Sequence, residues 1–338
     1  MTSGFQEIAA QSADWIAQVH GGPVNQLVGR EFAYPSIFGN WDRSASVRSR
    51  RVEPLDDLTR ENLLFFPPEL VPVCDHPLVV ARGDETRRRL LVRALHHYLN
   101  FTSELESRTV IPAATDLVHT YSGLPLPDQA RADACKIVTD EAWHAQFSRD
   151  LQTRIVECSG EPMLPMTSPM FIDRLDVIAE KIQPHIAAAS RILFAIVSET
   201  LVSALLAQIP HDQRLPSMVR HSVAEHARDE GRHHAYFRII LRYFWSALTA
   251  AERRAVGPLI PSIIQAFLEP DYRASATSMA SLGFSVDEIE AILSESFTPN
   301  RVLSDVAVAA RTTTRYFAEV GAMKDPATKD AFDLLVER

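Results

Sequence analysis

The chain has 338 residues, of which 46% are hydrophobic and 23% are charged, and its formal net charge at pH 7 is −9. This composition is ordinary for a globular protein in water, and the length allows one elaborated domain or two smaller ones. The acidic balance and the lack of a dense basic run argue against a nucleic-acid partner and against binding to an anionic membrane.

The cysteines and the first residues bear on the cellular compartment. Cys74, Cys135 and Cys158 are odd in number and far apart, so they form neither a disulfide framework nor a Cys-x-x-Cys metal site. The first seven residues lack the basic start and apolar run of a signal peptide. We therefore expect a cytoplasmic protein. The most apolar stretch, residues 192–209, contains polar residues such as Glu199, which favours a buried helix over a membrane span.

The pattern along the chain is predominantly helical. Glycine is scarce, with 12 residues, and alternating strand-like segments are nearly absent. Seven prolines interrupt the region before residue 80, yet this region is rich in aromatic residues. Because so many aromatic side chains are costly to leave in water, an ordered N-terminal wrap is expected over residues 1–83.

Helical spacing, capping residues and proline positions predict four long helices in a core at about residues 84–247. These run from Asp84 to about Thr109, ending before Pro112, from about Asp128 to Cys158, between Pro184 and Pro210, and from Pro216 to about Ala247. Capping-box sequences at Thr249–Glu252 and Ser285–Glu288 predict further helices within residues 248–338. The chain is expected to form a single domain over residues 1–338.

Two pentapeptides, Asp140–His144 and Asp229–His233, share the pattern Asp-Glu-x-x-His. Glu and His three residues apart project from one helix face toward one point. In four-helix bundles, two such pairs and one inward Glu from each of two other helices hold two iron or manganese ions. A single copy can be explained as a solvated face or a buried ion pair. Two copies on otherwise apolar stripes favour a metal centre, because a dication offsets the cost of burying carboxylates.

The two motifs therefore predict an all-α, ferritin-like helical bundle with a di-metal centre and additional helices. The ligands that they supply are Glu141, His144, Glu230 and His233. Glu199 is predicted as another ligand, because its apolar surroundings exclude a solvated face. His226 lies four residues before Glu230 on the same stripe and is predicted as a third histidine ligand. For His226, a packing role in the core is the alternative interpretation.

The first long helix must supply one more carboxylate, from Glu104 or Glu106. Glu106 continues the apolar stripe of that helix, whereas Glu104 can pair with Arg108 at the surface. Glu106 is therefore preferred, although the residues alone leave Glu104 open. Asp140 and Asp229 are predicted to orient the histidine ligands through their second ring nitrogens. Carboxylate and imidazole ligands without a thiolate suit iron or manganese and disfavour structural zinc.

At these residues the chain resembles the di-iron arylamine N-oxygenases, the p-aminobenzoate N-oxygenase family. The resemblance rests on Asp140–His144, on Ser198-Glu199-Thr200, and on His226–His233 with its additional histidine, and Asp75-His76-Pro77 also fits. The first ligand of the family matches Glu106. Within the family, the chain is most similar to N-oxygenases of chloramphenicol-type antibiotic biosynthesis.

The resemblance implies two iron ions as cofactor, O2 as co-substrate and an arylamine substrate. It also implies oxidation of the aromatic amine to a nitroaryl product through hydroxylamine and nitroso stages. The sequence contains no flavin or nicotinamide motif, so an external electron donor is expected, and a homodimer is compatible with the sequence. A ferritin-like ferroxidase or iron-storage protein is the alternative function, because it would use the same kind of site.

Overall fold

Helices account for the regular secondary structure in the part of the chain that the structure describes. The structure, a computed structural model, describes residues 34–49, 64–165, 168–182 and 186–336. Its α-helices are α1 (Trp41–Ser44), α2 (Ser46–Ser49), α3 (Pro77–Val80), α4 (Asp84–Leu105), α5 (Ile111–Val118), α6 (Asp128–Ser159), α7 (Met170–Ala179), α8 (Ala187–Leu206), α9 (Ser217–Ala247), α10 (Ala250–Val256), α11 (Ile260–Leu268), α12 (Tyr272–Ala280), α13 (Val286–Ser296), α14 (Pro299–Glu319) and α15 (Pro326–Val336). No strand occurs in these ranges, which confirms the predicted all-α fold.

Two helix pairs form the core of the bundle. Helix α4 packs against α6, and α8 packs against α9. Helices α6 and α9 also contact each other, so the two pentapeptide motifs face one another across the bundle. This arrangement of helices, and not proximity in sequence, brings the motifs together.

The ends of α6, α8 and α9 agree with the sequence-based prediction. Helix α6 ends at Gly160, which adopts a left-handed conformation with φ 71°. A residue without a Cβ adopts this conformation at little cost, and glycine is therefore common just after a helix. The capping boxes at Thr249 and Ser285 are both formed, and they begin α10 and α13.

The predicted end of the first long helix before Pro112 is wrong. After α4 the chain forms a π-helical turn over Glu106–Val110 and continues directly into α5, which contains Pro112 near its start. In a regular α-helix the proline ring would clash with the carbonyl four residues earlier. The wider π turn immediately before Pro112 relieves that clash, so the helix continues and places Glu106 at the start of the turn.

The described part of the N-terminal region lies against the bundle. Its aromatic side chains Phe38, Trp41, Phe65 and Phe66 are 2–8% exposed. Residues 1–33 and 50–63 of the predicted wrap lie outside the described residues. At the other end of the chain, α11 and α14 pack on α8.

None of the helices in the described ranges combines the length and the apolarity that are needed to cross a membrane.

Candidate metal centre

The seven side chains predicted as ligands meet in the middle of the bundle. All are at most 4% exposed. They come from the π turn and from helices α6, α8 and α9, and they are Glu106, Glu141, His144, Glu199, His226, Glu230 and His233. Four carboxylates and three imidazoles buried together require compensation by protons or by cations.

The two pentapeptide motifs face each other at the centre of this cluster. Nδ1 of His233 lies 2.9 Å from Oε1 of Glu141 and 3.4 Å from Oε1 of Glu230. Nδ1 of His144 lies 3.4 Å from Oε2 of Glu141 and 3.5 Å from Oε1 of Glu230. Each histidine therefore approaches the glutamates of both helices, and Glu141 and Glu230 lie between the two imidazoles.

The remaining predicted ligands lie at opposite ends of the cluster. At one end, Nε2 of His226 is 3.1 Å from Oε1 of Glu230 and 3.3 Å from Oε1 of Glu106. At the other end, Oε2 of Glu199 is 4.0 Å from Nδ1 of His233.

Two overlapping sets of four residues could each hold a metal ion, since the ligand atoms within each set lie within 4.8 Å of one another. The first set is Glu106, His144, His226 and Glu230, and the second is Glu141, His144, Glu230 and His233.

Several polar atoms in the centre lack a hydrogen-bond partner within the described part of the chain. They are both carboxylate oxygens of Glu106 and of Glu141, Oε2 of Glu199, and Nδ1 of His144 and of His233. Buried polar groups are normally paired, so a cluster of unpaired acceptor atoms around one point needs an explanation. Carboxylate oxygens and imidazole nitrogens are the ligands that iron and manganese bind, and the cluster therefore fits a pair of such ions.

The outer nitrogens of two histidines contact the aspartates of the motifs. Nε2 of His144 lies 3.2 Å from Asp229, and Nε2 of His233 lies 3.2 Å from Asp140. Each aspartate thus contacts the histidine of the other helix. A carboxylate can only accept a hydrogen bond, so Nε2 carries a proton, and Nδ1 faces the centre, where a cation can replace its proton.

The N-terminal region supplies two contacts that sequence reasoning missed. The indole Nε1 of Trp41 donates to both oxygens of Asp140, at 2.9 and 2.8 Å, and the backbone N–H of Ser46 donates to Asp229 at 3.0 Å. These partners are 99 and 183 residues apart in the chain. No local pattern could have identified them, because neither an isolated tryptophan nor a backbone amide is a signal of a site.

The environment raises the pKa of two of the buried carboxyl groups. Burial raises the pKa of Glu106 to about 7, although the neighbouring imidazole of His226, 3.3 Å away, opposes the shift. Burial and the neighbouring carboxylates of Glu230 and Glu141 raise the pKa of Glu199 well above its usual range. These two carboxyl groups hold protons more readily than an exposed glutamate does.

The histidines also have raised pKa values. Burial alone would lower the pKa of His144, but hydrogen bonds to carboxylates, that of Asp229 first among them, raise it well above the ordinary value. For His233 burial is likewise outweighed, mainly by the charges of Glu141 and Glu230. Without metal, these imidazoles therefore bind protons more readily than exposed histidines do, and a bound cation must displace those protons.

A cavity of about 50 Å³ lies against one side of the cluster. Its apolar and aromatic wall is formed by Tyr98, Phe101, Leu105 and Leu206, and the described lining residues include no lysine or arginine. Five of the predicted ligands also line it, but His144 and His233 do not. The cluster thus has one side that faces a largely apolar cavity. The contacts of His144 and His233 with the aspartates lie away from this cavity.

Two other residues considered from the sequence lie away from the centre. Glu104 is part of an ion pair with Arg108 at 3.7 Å, and its side chain is 27% exposed. His76 caps α3 by accepting a hydrogen bond from the N–H of Leu78, and its other ring nitrogen contacts Glu295. The segment Asp75-His76-Pro77 therefore connects helices, and it contributes no side chain to the cluster.

Comparison with known proteins identifies the family. Residues 41–321 match the family of the p-aminobenzoate N-oxygenase AurF. The chain belongs to this family. A 4-aminobenzoate N-oxygenase from Streptomyces thioluteus is 24% identical over 279 residues, which cover 80% of this chain and 82% of that protein.

Membership in the p-aminobenzoate N-oxygenase family gives the general activity. The chain is an N-oxygenase, an oxidoreductase that incorporates oxygen. All seven residues of the buried cluster, Asp140, Asp229 and both N-terminal contacts lie within the region that matches the family. The cavity beside the cluster lies there too, so the described site and the family match concern the same part of the molecule.

Proposed function

We propose that this chain is an O2-dependent di-iron N-oxygenase that converts an aromatic amine to a nitroaryl product. The oxidation would pass through hydroxylamine and nitroso stages and serve antibiotic biosynthesis of the chloramphenicol type. The observation that carries the proposal is the buried cluster of seven Glu and His side chains. Six of them, all but Glu199, form two overlapping sets of four, and several polar atoms of the cluster lack a hydrogen-bond partner in the described part of the chain. Two iron ions held there would bind and activate O2.

The donor atoms suggest how the chain would hold two ions. Glu106 and His226 would belong to one ion, and Glu199 and His233 to the other, because these pairs occupy opposite ends of the cluster. Glu230 approaches the imidazoles of His144, His226 and His233, so it is suited to contact both ions.

The side chains that line the cavity suit an uncharged aromatic amine, and the cavity, at about 50 Å³, must widen to admit the substrate ring. An arylamine is neutral at pH 7, so it can leave water for an apolar cavity without the cost of burying a charge. The rings of Tyr98 and Phe101 can pack against the substrate ring. Burial raises the pKa of Tyr98, which keeps its phenol neutral. The apolar wall also limits access of water to the reacting nitrogen.

The lining of the cavity supports a neutral substrate over an aminobenzoate. A buried carboxylate needs a cation or several hydrogen-bond donors, and the described lining residues include no lysine or arginine. The relative from Streptomyces thioluteus is named for 4-aminobenzoate. A neutral para-substituted aniline, such as an arylamine precursor of a chloramphenicol-type nitroaryl compound, is a better match for the present cavity.

Product analysis after iron loading tests this function. The metal-free protein is loaded anaerobically with Fe(II), supplied with a chemical reductant and ¹⁸O2, and given either 4-aminobenzoate or a neutral 4-alkylaniline with a hydroxylated side chain. We expect the neutral amine to give a labelled nitroaryl product and to react faster than 4-aminobenzoate. Deposition of ferric oxide without oxidation of either amine would overturn the proposal and favour the ferroxidase alternative.

A further inference from the structure

We propose that residues 41–49 are part of the metal centre and act as a positioning segment for its histidines. This segment comprises α1, Ala45 and α2, and it contributes no predicted metal ligand. It contacts both motif helices, and it reaches both aspartates that hold the outer histidine nitrogens. The inference rests on the proposed metal centre and adds to it a set of residues outside the four core helices.

Two hydrogen-bonded chains start from this segment. In the first, Nε1 of Trp41 donates to Asp140, and Asp140 contacts Nε2 of His233 at 3.2 Å. In the second, the N–H of Ser46 donates to Asp229, which contacts Nε2 of His144 at 3.2 Å. The segment thus controls the ring orientation of both histidines, although it reaches each of them through an aspartate.

The burial of the aspartates makes these donors important. Asp140 and Asp229 are both 0% exposed, so water cannot replace a missing hydrogen bond. The side chain of Arg232 also donates to Asp229 from within the same helix. Asp140 contacts Trp41 and His233, so the indole is a principal partner of this carboxylate.

Aromatic rings in and just before the segment also lie near His233 and Asp140. Phe38, just before the segment, stacks on His233 with ring centroids 6.3 Å apart and an interplanar angle of 22°. Trp41 is 8% exposed and lies beneath the guanidinium of Arg48, which is 5.3 Å from the ring centroid. The polar side of the metal centre is therefore covered by this region, whereas the cavity lies against other ligands.

Ser46 provides one test, because its backbone N–H can be removed separately from its side chain. It is the first residue of α2, where proline is well tolerated, and Ala45 before it is extended with φ −65° and ψ 141°, as proline requires of its predecessor. Ser46→Pro replaces the N–H by a ring carbon, which also crowds the Asp229 oxygen that accepts from Ser46 at 3.0 Å. Ser46→Ala keeps the N–H and removes a hydroxyl that has no hydrogen-bond partner in the described part of the chain.

Trp41 offers a second, independent comparison. Trp41→Phe keeps an aromatic ring and removes the indole donor, whereas Trp41→His keeps a ring N–H. Trp245→Phe is the matched control, because Trp245 is also buried but lies twelve residues beyond His233 on α9, about 18 Å along the helix.

The experiment is an anaerobic titration of each full-length, metal-free variant with Fe(II), repeated with Co(II) to follow ligand geometry by visible absorption. We expect Ser46→Pro and Trp41→Phe to weaken metal binding by about 10–100-fold, as loss of a partner behind a ligand typically does. Ser46→Ala and Trp245→Phe should bind like the wild type, and Trp41→His should recover much of the affinity. Circular dichroism of the metal-free variants verifies that each one is folded.

Wild-type affinity in both Ser46→Pro and Trp41→Phe would overturn the inference. Equal weakening of metal binding in Trp41→Phe and Trp41→His would also overturn the inference for the hydrogen bonds from Trp41 through Asp140 to His233. The volume of the indole, and not its N–H, would then matter. If Ser46→Pro does not fold, the three tryptophan variants decide the question. Failure of the wild type to bind two ions would instead reject the proposed metal centre, so the two failures are distinguishable.

Discussion

Replacement of Glu106 by Gln should stabilise the metal-free protein while it abolishes normal metal binding. Glu106 is 3% exposed, and burial raises its pKa to about 7. A carboxyl group whose pKa is raised on folding destabilises the fold increasingly as the pH rises from the unfolded to the folded pKa. The shift from 4.5 to about 7 corresponds to about 3 kcal/mol at pH 8. Because Gln has nearly the same shape and no charge, metal-free Glu106→Gln should resist urea better by up to that amount.

Metal binding should change in the opposite direction, because the glutamine amide cannot replace a carboxylate ligand. The stabilisation that a bound ion adds to the folded state should therefore be lost or much reduced in Glu106→Gln. Glu104→Gln is the matched control from the same helix. Its ion pair with Arg108, 3.7 Å long and partly exposed, is worth about 0.3–0.5 kcal/mol, so stability and metal binding should hardly change.

The assay is urea unfolding followed by circular dichroism, with each variant measured metal-free and after anaerobic loading with Fe(II). The expected pattern is a more stable metal-free Glu106→Gln that gains little from iron, beside a Glu104→Gln that behaves like the wild type. Loss of iron binding in Glu104→Gln together with normal binding in Glu106→Gln would refute the ligand assignment for this helix.

Three further predictions concern the same cluster. Glu230→Ala should remove metal and N-oxygenation but leave the helix content nearly unchanged, as measured by metal analysis and circular dichroism; full metal occupancy would contradict the assignment. His226→Phe keeps an aromatic ring of similar bulk, so a packing role would survive it, but the iron absorption spectrum and the oxidation rate should both be impaired if His226 is a ligand. Metal affinity should rise with pH through the neutral range, because the raised pKa values of His144 and His233 make the ion compete with protons. Calorimetry in buffers of different ionisation enthalpy should detect the released protons, and a pH-independent affinity would show that the metal displaces none.

Local patterns in the sequence were sufficient for much of the fold and for the central cluster. The spacing of Glu141 and His144, repeated at Glu230 and His233, places each pair on one helix face, since the geometry of the helix depends only on the local backbone. The end of α6 at Gly160 is set by a conformation that glycine adopts easily. Glu106 could be preferred from its position on an apolar stripe, and the structure places it in the cluster.

Features that depend on the packing of distant segments were decided only by the tertiary structure. The continuation of the first helix through Pro112 depends on a π turn, and no local rule for proline predicts it. The aspartates contact histidines of the opposite helix, which follows from how α6 and α9 cross. The contacts of Trp41 and Ser46 join segments 99 and 183 residues apart. A hydrogen bond needs only the right donor at about 3 Å from its acceptor, and the folded chain alone determines which donor is there.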